Sequence, residues 1–120
     1  MNVEAILNRI QKHPESHKIG MIASHLGVVR GNSRNGKEVN GIQVDYDQKI
    51  LNDIINKIKE LPGIIDVIVE INEGRLEVGE PILFVAVGGD IREHVFPALI
   101  KAVDLIKKDA SKKREIYQRG

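Results

Sequence analysis

The 120-residue chain has no cysteine and no tryptophan, and aromatic residues make up only 3% of it. The absence of cysteine excludes disulfides, thiolate metal sites and cysteine nucleophiles. Few aromatics disfavour binding of single-stranded nucleic acid by base stacking. No apolar run approaches the roughly 20 residues that span a bilayer, and the first residues lack a signal-peptide core. We therefore expect a cytoplasmic protein that binds neither nucleic acid nor membrane.

The composition is that of an ordinary globular protein, with 42% hydrophobic and 29% charged residues. The length predicts a single domain over residues 1–120. The net charge is only +1, but residues 101–120 hold seven basic residues against three acidic ones. A basic C-terminal segment on an otherwise acidic chain indicates an anionic ligand or partner.

Hydrophobic periodicity predicts helices at 2–12, 48–61 and 90–108, and strands at 19–29, 39–46, 64–71 and 81–87. Residues 74–80 resemble a connector, and 109–120 a loop or short strand. Asp90 and Glu93 have capping-box spacing, and Pro97 is expected to kink the last helix or shift its start. This order predicts an α+β fold, with a mixed or antiparallel sheet and flanking helices.

The junction before the last helix could bind an anion. Gly88 and Gly89 would let a ligand approach the backbone, and Arg92 could bind a phosphate beside the helix N-terminus. The alternative is a tight turn in which Asp90 caps the helix, and the pattern alone favours that alternative.

The basic C-terminal segment offers a second candidate site, because neighbouring lysines depress each other's pKa and can become bases or nucleophiles. A solvated basic tail is the simpler interpretation. Arg30, which follows a predicted strand, could anchor an anion. His25 could be a core or a pocket residue, and the four histidines lack metal-ligand spacing, so no metal site is predicted. The candidate lysines are Lys107, Lys108, Lys112 and Lys113.

Two stretches of the chain resemble the catalytic (large) subunit of molybdopterin synthase. One is Gly27–Arg30 followed by a loop ending in Gly36-Lys37-Glu38-Val39. The other is Gly74-Arg75-Leu76-Glu77-Val78-Gly79-Glu80, with the strand and long helix that follow it. Lys112-Lys113-Arg114-Glu115 is similar to the closing lysine motif of that family. The likeness covers roughly residues 15–117 and is that of a divergent, short member.

The resemblance implies an α/β hammerhead-type fold, a homodimer and a small ubiquitin-like sulfur carrier as partner. The carrier's C-terminal Gly-Gly thiocarboxylate would give sulfur to cyclic pyranopterin monophosphate, which becomes molybdopterin in molybdenum cofactor biosynthesis. No bound cofactor is implied. Matching the motifs places Lys107 and Lys113 at the chemistry, with Lys112 as a rival, and Arg30 and Arg92 at the substrate, with Gly88 and Gly89 in the adjoining turn.

The chain also departs from the family pattern. Ile91 stands where the family usually has histidine before the arginine of the last helix, and the usual C-terminal extension is absent. An alternative function is therefore a non-catalytic relative that binds a pterin, a nucleotide or a partner subunit.

Overall fold

The computed structural model describes residues 1–117. In chain order its elements are α1 (Val3–Gln11), a 3-10 turn (Ser16–Lys18), β1 (Met21–Val28), β2 (Val39–Tyr46), α2 (Gln48–Lys59), β3 (Ile64–Ile71), β4 (Gly74–Glu77), β5 (Pro81–Gly89), α3 (Arg92–Leu105), a π-helical turn (Ile106–Ala110) and β6 (Ser111–Tyr117).

The strands form two three-stranded sheets in which every pairing is antiparallel. The first sheet has the order β1-β5-β3 and the second has the order β4-β2-β6. Antiparallel sheets with separate helices confirm the predicted α+β class.

Helices cover both faces of the first sheet. Helices α2 and α3 pack on one face, over a core that includes Ile58, Val85 and Val87, and α1 packs on the other through Ile6 and Ile10. The central strand β5 is buried on both faces. That burial explains why its sequence is a continuous apolar run rather than an alternating one.

The second sheet has a small core of its own, formed mainly by Val39, Ile42 and Val44 of β2 with Leu76 of β4. Ile71 and Ile82 pack against both this cluster and the main core. These two residues, from β3 and β5, therefore link the two sheets.

The first two helices begin with side-chain caps. Asn2 Oδ1 accepts a hydrogen bond from the Ala5 amide, and Asp47 Oδ1 accepts one from the Ile50 amide, both at 3.0 Å. Such caps satisfy amides that have no partner within the helix. Within residues 1–117, no helix combines the length and the apolar character needed to cross a membrane.

Three details differ from the sequence-based expectations. The segment predicted as a connector contains β4, because residues 74–77 pair with β2. Asp90 is not the helix N-cap; Ile91 is, and it offers no side-chain acceptor. The last helical turn ends at Ala110, two residues beyond the predicted helix. Of the two alternatives for the segment after it, a loop or a short strand, the structure shows the strand β6 over Ser111–Tyr117, and residues 118–120 lie outside the described part of the chain.

Helix α3 accommodates Pro97 near its start. The helix begins at Arg92, two residues after the predicted start, so Pro97 lies only five positions into it. A proline this close to the N-terminus removes one hydrogen bond but leaves the following turns intact.

Candidate functional site

A cavity of about 610 Å³ opens where the two sheets meet the end of the last helix. Its floor is apolar and consists of side chains from β2, β3 and β5, namely Ile42, Val44, Ile71, Ile82 and Leu83. Its polar lining includes Arg30, Ser33, Arg34, Asn35, Lys107, Ser111, Lys113, Glu115 and Tyr117, together with His25. An apolar floor with a few convergent polar groups is the usual form of a small-molecule site.

Lys107 reaches the cavity from the π-helical turn that ends α3. The buried side chains of Ile106 and Ala110 hold this turn in the core, and the Asp47 amide donates to the Ala110 carbonyl at 2.9 Å. The turn is thereby anchored on both sides of Lys107, whose own side chain is exposed. Single π-helical turns often occur at functional sites.

Lys113 lines the cavity because of the alternation of β6. Every second residue of this strand faces the cavity, namely Ser111, Lys113, Glu115 and Tyr117. Lys113 is paired with Val44 and Lys112 with Asp45 of β2. Successive residues of a strand point to opposite faces, so Lys112 lies on the side away from the cavity.

Arg30 lies at the start of the loop that joins β1 to β2. The loop closes through the bridge between Asn32 and Glu38, and the buried Ser33 accepts from the Lys37 amide at 3.2 Å. Its turn passes through Gly36, whose φ of +85° is a conformation that favours glycine. This ordered loop forms one wall of the cavity.

The cavity carries an excess of positive charge. Arg30, Arg34, Lys107 and Lys113 line it, against the single carboxylate of Glu115. None of these four cations has a carboxylate within 4.0 Å in residues 1–117, where the ion pairs involve other basic residues. Uncompensated cations around an apolar floor suit an anionic ligand with a flat or apolar body.

His25 borders the same cavity from β1. Its Nε2 is shielded from solvent and has no hydrogen-bond partner in the described residues. Burial lowers the pKa of His25, and the nearby positive charge of Lys107 lowers it further. The imidazole is therefore uncharged at neutral pH.

The other predicted site residues lie away from this cavity. Gly88 and Gly89 are buried at the end of β5, where an added Cβ would come within 2.9 Å of Ile10 and within 2.6 Å of the Gly63 carbonyl oxygen, respectively. Arg92 lies at the exposed start of α3 and donates to Glu93 at 3.1 Å. In this chain, the two glycines provide room for close packing.

The Asp90 carboxylate occupies the start of α3. It accepts from the Ile91 amide at 2.7 Å and lies 2.8 Å from Nδ1 of His94. The contact with His94 is the main reason that the pKa of Asp90 lies below its usual value. Asp90 thus contacts the N-cap residue and His94 rather than capping the helix itself as the alternative interpretation expected, and the two glycines before it belong to β5.

Several lining residues were not among the predicted site residues. Arg34 follows Arg30 in the loop, and Glu115 and Tyr117 alternate with Lys113 along β6. Glu115 and Tyr117 could have been linked to Lys113 by the alternation of side chains along a strand that starts at Ser111. That inference required the basic tail to be assigned as a strand. Lys37 lies 5.6 Å from the ring centre of Tyr117, which adds a further cation near the rim.

Within residues 1–117, no three His, Asp or Glu side chains gather as metal ligands.

Comparison with known proteins gives a consistent relationship. The family model described as MoaE protein matches residues 1–109. No curated protein sequence matches the chain.

Solved structures share the fold. Molybdopterin synthase from Staphylococcus aureus superimposes with a TM-score of 0.81 at 21% identity, covering 100% of this chain and 88% of that one. The molybdopterin biosynthesis MoaE protein from Burkholderia ambifaria MC40-6 gives 0.77 at 22% identity, covering 100% and 85%.

A third similar structure is a complex of subunits 1 and 2 of molybdopterin-converting factor from Helicobacter pylori 26695. It gives a TM-score of 0.71 at 17% identity, covering 99% of this chain and 85% of the matched chain. The family match spans most of the sequence, and the structural matches have the same fold. The chain therefore belongs to the MoaE protein family.

Proposed function

We propose that this chain is the large subunit of a molybdopterin synthase and acts as a sulfurtransferase. Its substrate would be cyclic pyranopterin monophosphate, and the sulfur would come from a thiocarboxylated carrier protein. The observation that carries the proposal is the convergence of Arg30, Lys107 and Lys113, from three separate segments, on one cavity with an apolar floor.

The cavity suits both parts of such a substrate. Arg30 can form paired hydrogen bonds to phosphate oxygens through its guanidinium group. The fused rings would lie over the apolar floor formed by residues such as Ile42 and Val44. Burial of the ring faces and neutralisation of the phosphate would both favour binding.

Lys107 and Lys113 are proposed as the catalytic residues. Both are donors with no carboxylate partner in residues 1–117. An ammonium group beside the reacting carbon stabilises negative charge that develops on oxygen or sulfur, and it can donate a proton to a leaving oxygen.

The proposed partner is a small ubiquitin-like carrier that ends in Gly-Gly. A C-terminal thiocarboxylate is an anion, so the same cations would attract it. The structural match to a complex of two subunits of a molybdopterin-converting factor supports a partner of this kind.

Arg92, Gly88 and Gly89 require a second copy of the chain if they bind substrate. Arg92 and Lys107 lie at opposite ends of the last helix, which separates them by roughly 20 Å along its axis. We therefore propose a homodimer in which this helix start approaches the partner's cavity.

The direct test is dithiolene formation by the purified chain with thiocarboxylated carrier and cyclic pyranopterin monophosphate. Formation of molybdopterin is the expected result. Ile91 is the N-cap of α3 at the position where the resemblance to the synthase family implies histidine, and this difference supports a second candidate function. Binding of the pterin without product would reject the sulfurtransferase and favour a non-catalytic binding module.

The dimer proposal has a separate test with mixed subunits. Arg92→Ala and Lys113→Ala chains are each expected to be impaired as homodimers. If Arg92 serves the partner's cavity, each mixed dimer contains one intact cavity, and mixing restores activity. If mixing restores nothing while mixed dimers form, Arg92 does not serve the partner's cavity.

A further inference from the structure

His25 has an unusual combination of features for a strand residue. Its Nε2 is buried and lacks a partner in residues 1–117, yet the side chain borders a cavity lined by polar groups. Buried polar atoms are nearly always hydrogen-bonded, and an unpaired one calls for an explanation such as a catalytic role or a bound molecule. A partner for Nε2 can be supplied by whatever occupies the cavity.

Gly27, two residues further along β1, leaves space beside the ring of His25. A Cβ at Gly27 would lie 3.3 Å from Nε2 of His25, so even a methyl group there would press on the ring. Position 27 also borders the cavity, and its lack of a side chain leaves space beside Nε2 for an atom of a ligand.

Lys107 is the charge that acts on His25, and titratable groups from three segments line the cavity that His25 borders. Lys107 approaches from the π-helical turn, Arg30 and Arg34 from the loop after β1, and Lys113, Glu115 and Tyr117 from β6. The paired strand β5 contributes apolar residues such as Leu83 and Val85. Burial and the positive charge of Lys107 therefore disfavour a protonated imidazole.

We propose that His25 is a catalytic residue of this cavity and accepts the proton that is released when water frees the sulfur carrier. This inference rests on the proposed sulfurtransferase function. Arginine and protonated lysine can only donate hydrogen bonds. An uncharged imidazole beside them supplies the lone pair that a base requires.

The step balances as a hydrolysis. After sulfur has bonded to the pterin, the carrier's terminal carbonyl carbon is joined to that sulfur. Water attacks this carbon and loses one proton to Nε2 as the new C–O bond forms. The C–S bond then breaks, and its electron pair stays on the sulfur as a thiolate. The second proton of the water remains on the new carboxyl group until that group ionises to solvent.

The burial of His25 determines the expected pH dependence. Because burial and Lys107 lower its pKa, the base form persists to a pH below the ordinary value of a histidine. The wild-type kcat should therefore show an acid limb that reports His25 and no basic limb that depends on it. A base that must be neutral loses activity as the pH falls through its pKa, and gains nothing further above it.

The test compares His25→Gln, His25→Phe and His17→Gln with the wild type in the complete dithiolene assay. Glutamine retains hydrogen bonding but cannot take up a proton. We expect His25→Gln to lower kcat by roughly 100- to 1,000-fold with little change in KM, and to abolish the acid limb. The control His17→Gln, at an exposed position, should behave as wild type.

A measurement on the unsubstituted chain covers the case in which the His25 variants fold poorly. The four imidazole NMR signals can be assigned with single substitutions at His13, His17 and His94. Titration with inorganic phosphate, and then with cyclic pyranopterin monophosphate, should shift the His25 signal and raise its pKa as the cations are neutralised. A His25 signal that ignores both ligands overturns the inference.

The outcomes separate this inference from the function on which it rests. A wild-type chain that forms no dithiolene rejects the sulfurtransferase itself. Full kcat in His25→Gln, with an unchanged acid limb and an active wild type, rejects only the role of His25.

Discussion

The last helix has polar groups at both of its ends, but the two ends differ in what those groups contact. At the N-terminal end, Asp90 accepts from the Ile91 amide and contacts His94, while Arg92 donates to Glu93. At the C-terminal end, Lys107 has no carboxylate partner in residues 1–117 and faces a cavity that it shares with cations from two other segments. The polar side chains at the first end pair with one another, whereas the cations at the second end have no carboxylate partner in the described residues.

This difference shows why similar motifs have different value as evidence for a site. Packing explains the glycine pair before the helix, because Gly88 leaves room for Ile10 and Gly89 leaves room for the Gly63 carbonyl oxygen. Lys107 also suits the helix C-terminus through its charge. Unlike the glycines, however, it is exposed and lines the cavity, on a turn that the buried residues Ile106 and Ala110 anchor.

The largest expected effect is at Lys113. Replacement by alanine should lower dithiolene formation by roughly 100- to 10,000-fold, because a donor beside the reacting group is lost while the exposed side chain contributes little to folding. Turnover of the purified variant measures this. Lys112→Ala, on the opposite face of β6, is the matched control and should retain activity. Equal loss in both variants would contradict the assignment of Lys113.

The next effect is on anion binding at Arg30. Arg30→Ala should weaken binding of the phosphorylated pterin by roughly 10- to 100-fold, because charged hydrogen bonds to the phosphate disappear. Calorimetry measures the affinity. The control is Arg75→Ala on β4, whose guanidinium lies 3.7 Å from Glu77 and outside the cavity. An unchanged affinity for Arg30→Ala would exclude it as the phosphate anchor.

A smaller effect, on stability rather than binding, is expected at Gly88. Gly88→Ala should cost about 1–3 kcal/mol of unfolding free energy, because the new methyl group meets Ile10. Denaturant unfolding measures it. Gly31→Ala, where the nearest side-chain atom would be 3.8 Å away, is the control and should change stability by less than about 0.5 kcal/mol. If Gly88→Ala stays folded and still loses ligand affinity, Gly88 belongs to the site after all.

The smallest effect is on the pH dependence of stability. The folded state lowers the pKa of His25, so the unfolded chain takes up a proton there more readily. The free energy of unfolding therefore decreases as the pH falls from the ordinary pKa of histidine toward the lowered one. His25→Phe should unfold with a Tm that declines less between about pH 7 and about pH 5 than that of the wild type. A Tm that declines equally in both would contradict the lowered pKa.

Much of the fold follows from the sequence because its strongest signals are local. The strands 39–46 and 64–71 have the predicted bounds, and the helix at 48 starts where predicted. The spacing of apolar residues predicts these elements, because each has a face that must be buried. β4 and β6 were predicted less well, because both are polar strands that pair with β2 through backbone hydrogen bonds.

The candidate site was only partly predictable. Lys107, Lys113 and Arg30 were named from a resemblance to a family, and the sequence pattern alone favoured a solvated basic tail. Choosing Lys113 over Lys112 required the register of β6 against β2, a one-residue difference that places a side chain on the opposite face. His25 looked like one weak candidate among four histidines until its ring was seen at the cavity.

The sequence by itself determined the α+β class, the main helices and strands, and the presence of a basic C-terminal segment, because these depend on periodicity and composition within short windows. The tertiary structure alone decided which cations meet and which do not. Arg30, Lys107 and Lys113 come together because long-range strand pairing and helix packing bring separate segments to one cavity, whereas the length of a helix keeps Arg92 away from it.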